Sequence, residues 1–208
     1  MNTQSRLNIV SKKNLAKTQL HLLNVIGSQR FLNNEGLNNE IPFHICPFEP
    51  KISNEMLLVV KQLKNELVNK GVSVLEINLY DLVIRTLKEE GDWEWLLENE
   101  LVTSSENLKN ELQGILDIEE VLIPSIVKEM KVASYGVMFI TGVGEVFPYI
   151  RSHNILNNLQ RVAKEQPTLM FFPGRYEHSL SNGASLCLFD KLTDDRYYRA
   201  FNILDRAN

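Results

Sequence analysis

Two groups of residues in the segment YGVMFITGVGEVFPYIRSHNILNNLQRVAKEQPTLMFFPGRY, positions 135–176, have types and spacing that could do chemistry. The first is Gly142-Val143-Gly144, set between an apolar run and an amphipathic stretch. Backbone amides at such a junction can hold an anion, so the chemistry would be phosphate or nucleotide binding, with Arg151 and Arg175 as counter-charges. Arg151 and His153 fall in the first turns of the amphipathic stretch. A cation there opposes the helix dipole. Arg151 therefore pairs with a carboxylate, for which Asp194 and Asp195 are natural candidates, or reaches across the mouth of a sheet. The second group, Pro173-Gly174-Arg175-Tyr176, closes the next apolar run. It reads equally as a tight turn with a satisfied tyrosine or as a wall of the crevice where open α/β sheets keep ligands.

The motifs that would turn these groups into a catalyst are missing. A dinucleotide fingerprint needs a third glycine at position 147, which is Phe147, and no Gly-Lys-Ser/Thr triplet occurs. A purely steric role for Gly142 and Gly144 is thus preferred to anion binding. His21, His44, His153 and His178 are scattered, with no ligand partner three or four positions on. Cys46 and Cys187 sit inside apolar runs without CxxC spacing, as buried reduced thiols do. No Gly-x-Ser-x-Gly elbow occurs, and no carboxylate pair stands out for acid–base work. The expectation is a protein that is not an enzyme and carries neither cofactor nor metal.

The elements that must position these residues follow from the apolar pattern. Val137–Ile140 and Thr168–Phe172 are continuous apolar runs bounded by turn residues, as in strands covered on both faces of a parallel sheet. Ile150, Ile155, Leu156, Leu159 and Val162–Ala163 lie at helical spacing, which predicts a crossover helix over Tyr149–Lys164 and a βαβ unit. Upstream, Lys12–Asn33 reads as a helix tethered by a polar, asparagine-rich linker, to be packed on the domain or docked on a partner. Pro42–Phe48 reads as a strand. Ser53 is placed as the N-cap of a helix carrying Met56, Val60, Leu63 and Leu67 inward, and Gly71 as its left-handed cap. Val72–Leu79 is a second strand, reached by a right-handed crossover.

An insertion of helices follows over 80–132: Tyr80–Glu90, a short helix with Trp93, Leu96, Leu97 and Leu101 inward, a third through Leu108, Leu112 and Ile115, and one restarted by Pro124. Ser179–Ser185 reads as a loop, Ser185–Phe189 as a final edge strand, and Tyr197–Leu204 as a closing helix behind Asp194-Asp195.

Charge separates the chain into unequal parts. Residues 76–130 carry 14 acidic and 4 basic side chains, net −10, within a whole-chain balance of −4 over 208 residues. The only strong field is acidic, which argues against direct nucleic-acid binding. Most of those carboxylates read as a solvated face; of the two tryptophans among them, Trp93 and Trp95, one is expected in the core and the other, whichever it is, as a partner anchor. Neither a signal peptide nor a run long enough to span a bilayer is visible, so the expected location is cytoplasmic, with no membrane contact.

The phrases TGVGEVFPYIRSHNILNNLQ, PTLMFFPGRY, LCLF and DDRYYRAFNIL, in that order and spacing, resemble the BrxB family of bacteriophage exclusion (BREX) defence systems. The resemblance is most specific over Phe139–Leu204, looser back to Ile41, and does not reach residues 1–40. The family's repeated positions map onto Gly142, Gly144, Pro148, Arg151, Leu156, Leu159, Pro173, Gly174, Tyr176, Asp195, Tyr197, Tyr198, Arg199 and Phe201. The resemblance implies a non-catalytic component of a multi-protein phage-restriction system. Its first partner would be the PglZ-type alkaline-phosphatase-fold protein, with the AAA-type ATPase or the methyltransferase next.

The expected architecture is a three-layer α/β domain over 41–208, with a mainly parallel sheet of about five strands. It would be P-loop- or Rossmann-like without a Walker A motif. The expected crevice or partner surface comprises Gly142, Gly144, Arg151, Gly174, Arg175, Tyr176, Asp195, Tyr197, Tyr198 and Arg199. Contacts with partners would come from that crevice or from the acidic helices around 93–120.

Overall fold

The computed structural model describes residues 8–35, 42–179, 183–194 and 200–206. Two strands with wholly buried runs form the middle of the fold, β1 (Phe43–Phe48) and β3 (Val137–Thr141). With β2 (Val74–Asn78), β4 (Thr168–Ser179) and β7 (Phe201–Asn202) they make a parallel sheet in the order β2-β3-β4-β1-β7. Two further strands, β5 (Gly183–Leu188) and β6 (Leu192–Asp194), continue antiparallel from β4. The five-strand parallel path matches the expectation.

Side-chain alternation assigns the two faces. Phe43, Ile45, Met138, Ile140, Met170 and Phe172 face one apolar layer. That layer contains α4 (Leu79–Glu90), α6 (Ser105–Ile115), α7 (Ile123–Val132) and α8 (Ser152–Val162). Cys46, Phe48, Val137, Phe139, Leu169 and Phe171 face the other, formed by α1 (Leu15–Ile26) and α3 (Ser53–Asn69). The result is a three-layer α/β fold. Between α4 and α6 runs α5 (Asp92–Asn99), which buries no residue.

Several expectations are corrected. The first helix is two, α1 and α2 (Gln29–Leu32), broken at Gly27-Ser28, where Ser28 accepts from the Phe31 amide to cap the second. The pair packs on the domain, one of the two placements expected for it, and the linker over 36–41 lies outside the described residues. Leu22 and Ile26 are wholly buried on α3, and the Val10 amide donates to Pro47 O at 2.9 Å, beside β1. Ser53 lies inside α3 and donates to Pro50 O at 2.7 Å, because a short 3-10 turn (Pro50–Ile52) already carries the chain into the helix. The crossover from β1 through α3 to β2 spans the sheet, with β3 and β4 between the two strands, a separation that no expectation addressed.

The crossover helix begins at Ser152 rather than Tyr149, after a run of turns that contains a cis Phe147–Pro148 bond. Pro173-Gly174 does not end a strand. β4 continues through it to Ser179 because β5 pairs alongside, with Gly174 opposite Leu188 and Arg175 opposite Cys187. The loop expected over 179–185 therefore gives way to strand from Gly183, and β5 lies between β4 and β6 instead of at an edge. The described part of the expected closing helix is β7 and a 3-10 turn, Ile203–Asp205. Leu101 falls beyond the end of α5 and is 93% exposed, and Leu97 also faces outward.

Candidate functional site

The carboxyl ends of β1, β3 and β4 converge on a cleft of about 200 Å³, at the edge where a parallel sheet offers a crevice. Phe48 and Phe171 form its floor, Met56 and Leu57 of α3 one wall, and the turn Gly142-Val143-Gly144 the other, with Phe189 above. The lining is mostly apolar, and Glu145 is its one charged side chain. An anion entering here would meet aromatic walls and a carboxylate.

The two glycines are accounted for by packing. Gly142 turns the chain with φ +73°, and a Cβ there would lie 2.5 Å from Asn78 Oδ1. That oxygen is engaged: it accepts from the Tyr80 amide at 2.9 Å and the Asp81 amide at 3.2 Å, capping α4. Gly142 is glycine so that the loop after β3 can pass over this cap. A Cβ on Gly144 would meet the Phe189 ring at 2.9 Å and Pro173 at 3.0 Å. Phe189 is held there by a backbone with φ +54°, followed by Asp190 at +60°, in the turn between β5 and β6. On β4, a Cβ at Gly174 would fall 2.1 Å from Cys187 O, so close approach of β5 accounts for that glycine too.

The expected crevice residues are not brought together. Gly142 and Gly144 line the cleft, whereas Arg151, Gly174, Arg175 and Tyr176 do not. Arg151 stands exposed at the N-cap of α8 and makes no ion pair among the described residues. Arg175 lies on the hairpin, 3.2 Å from Asp190 and 3.7 Å from Glu177, so its charge is already matched. Tyr176 is buried, and its hydroxyl donates to Ala200 O at 2.6 Å; burial pushes its pKa up to about 12. Asp195, Tyr197, Tyr198 and Arg199 lie outside the described residues.

Three features escaped the reading by motif. Beside the cleft, Glu76 on β2 receives Lys64 Nζ at 2.7 Å and the Thr141 hydroxyl at 3.2 Å, and Arg85 pairs with Glu129. A glutamate inside the apolar run VLEIN is the signal that pointed there. His44 is fully buried on β1, its ring 4.8 Å from Phe31 and 5.9 Å from Phe201, with neither ring nitrogen in a hydrogen bond. Burial first, and the Arg206 charge second, lower its pKa to about 3. Burial likewise raises the Cys46 thiol far above its usual range, so it stays a protonated core residue. No cluster of His, Cys, Asp and Glu among the described residues could hold a metal ion, and no described helix is long and apolar enough to cross a membrane.

The third feature is the surface of α4 and α5. A groove of about 470 Å³ opens along them, lined by Tyr80, Ile84, Arg85, Lys88 and Trp93. The Lys88 ammonium lies 5.2 Å from the Trp93 ring centre, and Trp93 and Leu96 rest against the core. Trp95 and Leu97 of α5, and Leu101 and Val102 in the turn beyond it, carry apolar side chains into solvent.

Comparison with known proteins adds identity to this geometry. The family model described as "BREX protein BrxB" matches residues 75–203. Two curated relatives bear the same name. One, from Bacillus cereus (strain H3081.97), is 34% identical over 191 residues, covering 89% of this chain and 95% of the relative. The other, from Escherichia coli O9:H4 (strain HS), is 30% identical over 179 residues, covering 86% of each. No solved structure gives a significant match. The chain belongs to the BrxB family of BREX phage-defence systems.

Proposed function

We propose that this BrxB-family protein serves its defence system as an assembly component rather than by chemistry of its own. Its first partner is the system's PglZ-type alkaline-phosphatase-fold protein. The observation that carries the reading is how the carboxyl edge of the sheet is used. Gly142 rides over the Asn78 cap, Gly144 and Gly174 admit Phe189 and Cys187, Arg175 is paired with Asp190, and Tyr176 is tied to Ala200. Of these, Gly142, Gly144, Gly174 and Tyr176 match the family's repeated pattern and are thus spent on holding loops in place. The cleft they border has apolar walls. Such an edge presents a shaped surface more readily than it polarises a substrate.

The test is co-purification of the system's gene products from a tagged copy of this chain, followed by size exclusion. The expected outcome is a stoichiometric complex containing the PglZ-type protein. A complex with the ATPase or methyltransferase alone reassigns the partner. Elution of this chain free of every other component, or turnover of a nucleotide by the purified chain, overturns the reading.

A further inference from the structure

We propose that the corner made by α5 and the turn into α6 is the docking surface, and that its occupant is a basic protein face bearing an apolar pocket. The inference rests on the assembly reading and names the surface that reading leaves open.

Amphipathic helices of folded domains turn their large apolar residues inward. This corner does the reverse. Leu97 is 55% exposed, Leu101 93% and Val102 80%, and Trp95 adds a ring at 37%. Trp95 lies two residues from Trp93, on the other side of the helix at 100° per residue, so it cannot share the core contact of Trp93 and Leu96. Four large apolar side chains within residues 95–102 therefore find no cover among the described residues. Scattered single exposures are ordinary, but four within eight residues, with Leu97 and Leu101 four apart on one side, mark a contact surface.

The corner also has local supports of its own. Gly91, at φ +86°, ends α4 and turns the chain into α5. Trp93 and Leu96 anchor α5 to the core, and Lys88 covers the Trp93 ring. Asn99 Nδ2 donates to Trp95 O at 2.8 Å, and Ser104 Oγ accepts from the Asn107 amide to start α6. A patch ordered before binding loses less conformational entropy on contact.

Charge selects the occupant. Asp92, Glu94, Glu98, Glu100 and Glu106 surround the apolar residues, and none has an ion-pair partner among the described residues. They belong to the segment with net charge −10. Nucleic acid and anionic lipid would be repelled. A second copy meeting the same corner would set these carboxylates against their own like. A lysine- and arginine-rimmed protein face satisfies both the charges and the apolar centre.

Two variant sets on exposed positions test this without touching the core. One reverses charge (Glu94→Lys, Glu98→Lys, Glu100→Lys); the other removes apolar surface (Leu101→Ser, Val102→Ser). Each is measured for binding to the PglZ-type protein, the ATPase and the methyltransferase of the same system, with the thermal midpoint and circular dichroism checked in parallel. Each set should weaken the wild-type complex by about tenfold or more. Wild-type affinity should fall with added salt, and the charge-reversed set should flatten that dependence. A Glu→Gln version of the charge set gives a second reading if the lysine set fails to fold. Wild-type affinity in both sets overturns the docking corner and leaves the assembly reading standing. A wild-type chain that binds none of the three proteins overturns both.

Discussion

At the scale of single residues, the contact between Gly142 and Asn78 decides more than the motif around it suggests. A side chain at position 142 faces a left-handed φ of +73° and an oxygen 2.5 Å away. Gly142→Ala should lose about 2–3 kcal/mol, combining the conformational penalty with disturbance of the α4 cap. Asn78→Ala alone should lose about 1 kcal/mol. The double variant should then lose less than the two together, since removing Asn78 removes the clash. Urea midpoints of the four proteins check this, and strict additivity would sink the steric account. His44 supplies a prediction with a sign. Its pKa in the fold, about 3, lies below the ordinary 6.5, so the unfolded chain takes up the proton first. The Thr168 backbone pulls the other way without reaching hydrogen-bond geometry, and burial outweighs it. The stability that depends on a neutral ring is complete above pH 6.5 and is lost as pH falls toward 3, at up to about 1.4 kcal/mol per pH unit. His44→Leu should flatten the stability profile between about pH 6 and pH 4. Equal slopes in the two proteins would show that the ring titrates elsewhere.

At the scale of elements, strands buried on both faces were the most legible, because Val137–Ile140 and the apolar part of β4 carry no polar interruption. The length of β4 was not legible. Pro173-Gly174 has the composition of a turn, and only the pairing of β5, which brings Cys187 O to the missing Cβ of Gly174, keeps the chain extended. The start of α8 was misplaced for a similar reason. Ile150 was grouped with Ile155 and Leu159 as one helical face, yet it stands five and nine residues from them, off that face, and is buried within the turns of residues 142–151. Of the candidate site, the glycine turn was legible, whereas the wall from α3 was not, since no local signal says that Met56 and Leu57 meet Gly144 across the sheet end. The acidic helices were visible as composition, but the outward turn of Leu97 and Leu101 was not. With no buried residue of its own, α5 should open more readily than the sheet. Hydrogen exchange should show its amides less protected than those of β1 and β3 by about a hundredfold or more. Equal protection would mean that α5 is held by contacts beyond Trp93 and Leu96.

At the scale of the whole molecule, the sheet needs cover on both faces, and the two covers differ in kind. One comes from helices inserted within the 76–163 stretch, the other from α3 together with residues near the start of the chain. The family match begins at residue 75, so the earlier elements could be mistaken for decoration. Their burial says otherwise. Val10, Leu22, Leu23, Val25, Ile26 and Phe31 are all buried in the cluster that covers Val137, Phe139, Leu169 and Phe171. Fully burying a side chain of this kind is worth about 1.5–3 kcal/mol, and a domain's net stability is about 5–15 kcal/mol. Losing all six would therefore consume most or all of that margin, and it would also uncover their partners on α3. A chain lacking residues 1–35 should accumulate as insoluble protein, and Leu22→Ala should lose about 2–5 kcal/mol in an otherwise complete chain. Solubility after expression and a urea titration decide the matter. A truncated chain that stays soluble and unfolds cooperatively with the full chain's midpoint would show that α1 and α2 add nothing to the stability of the fold.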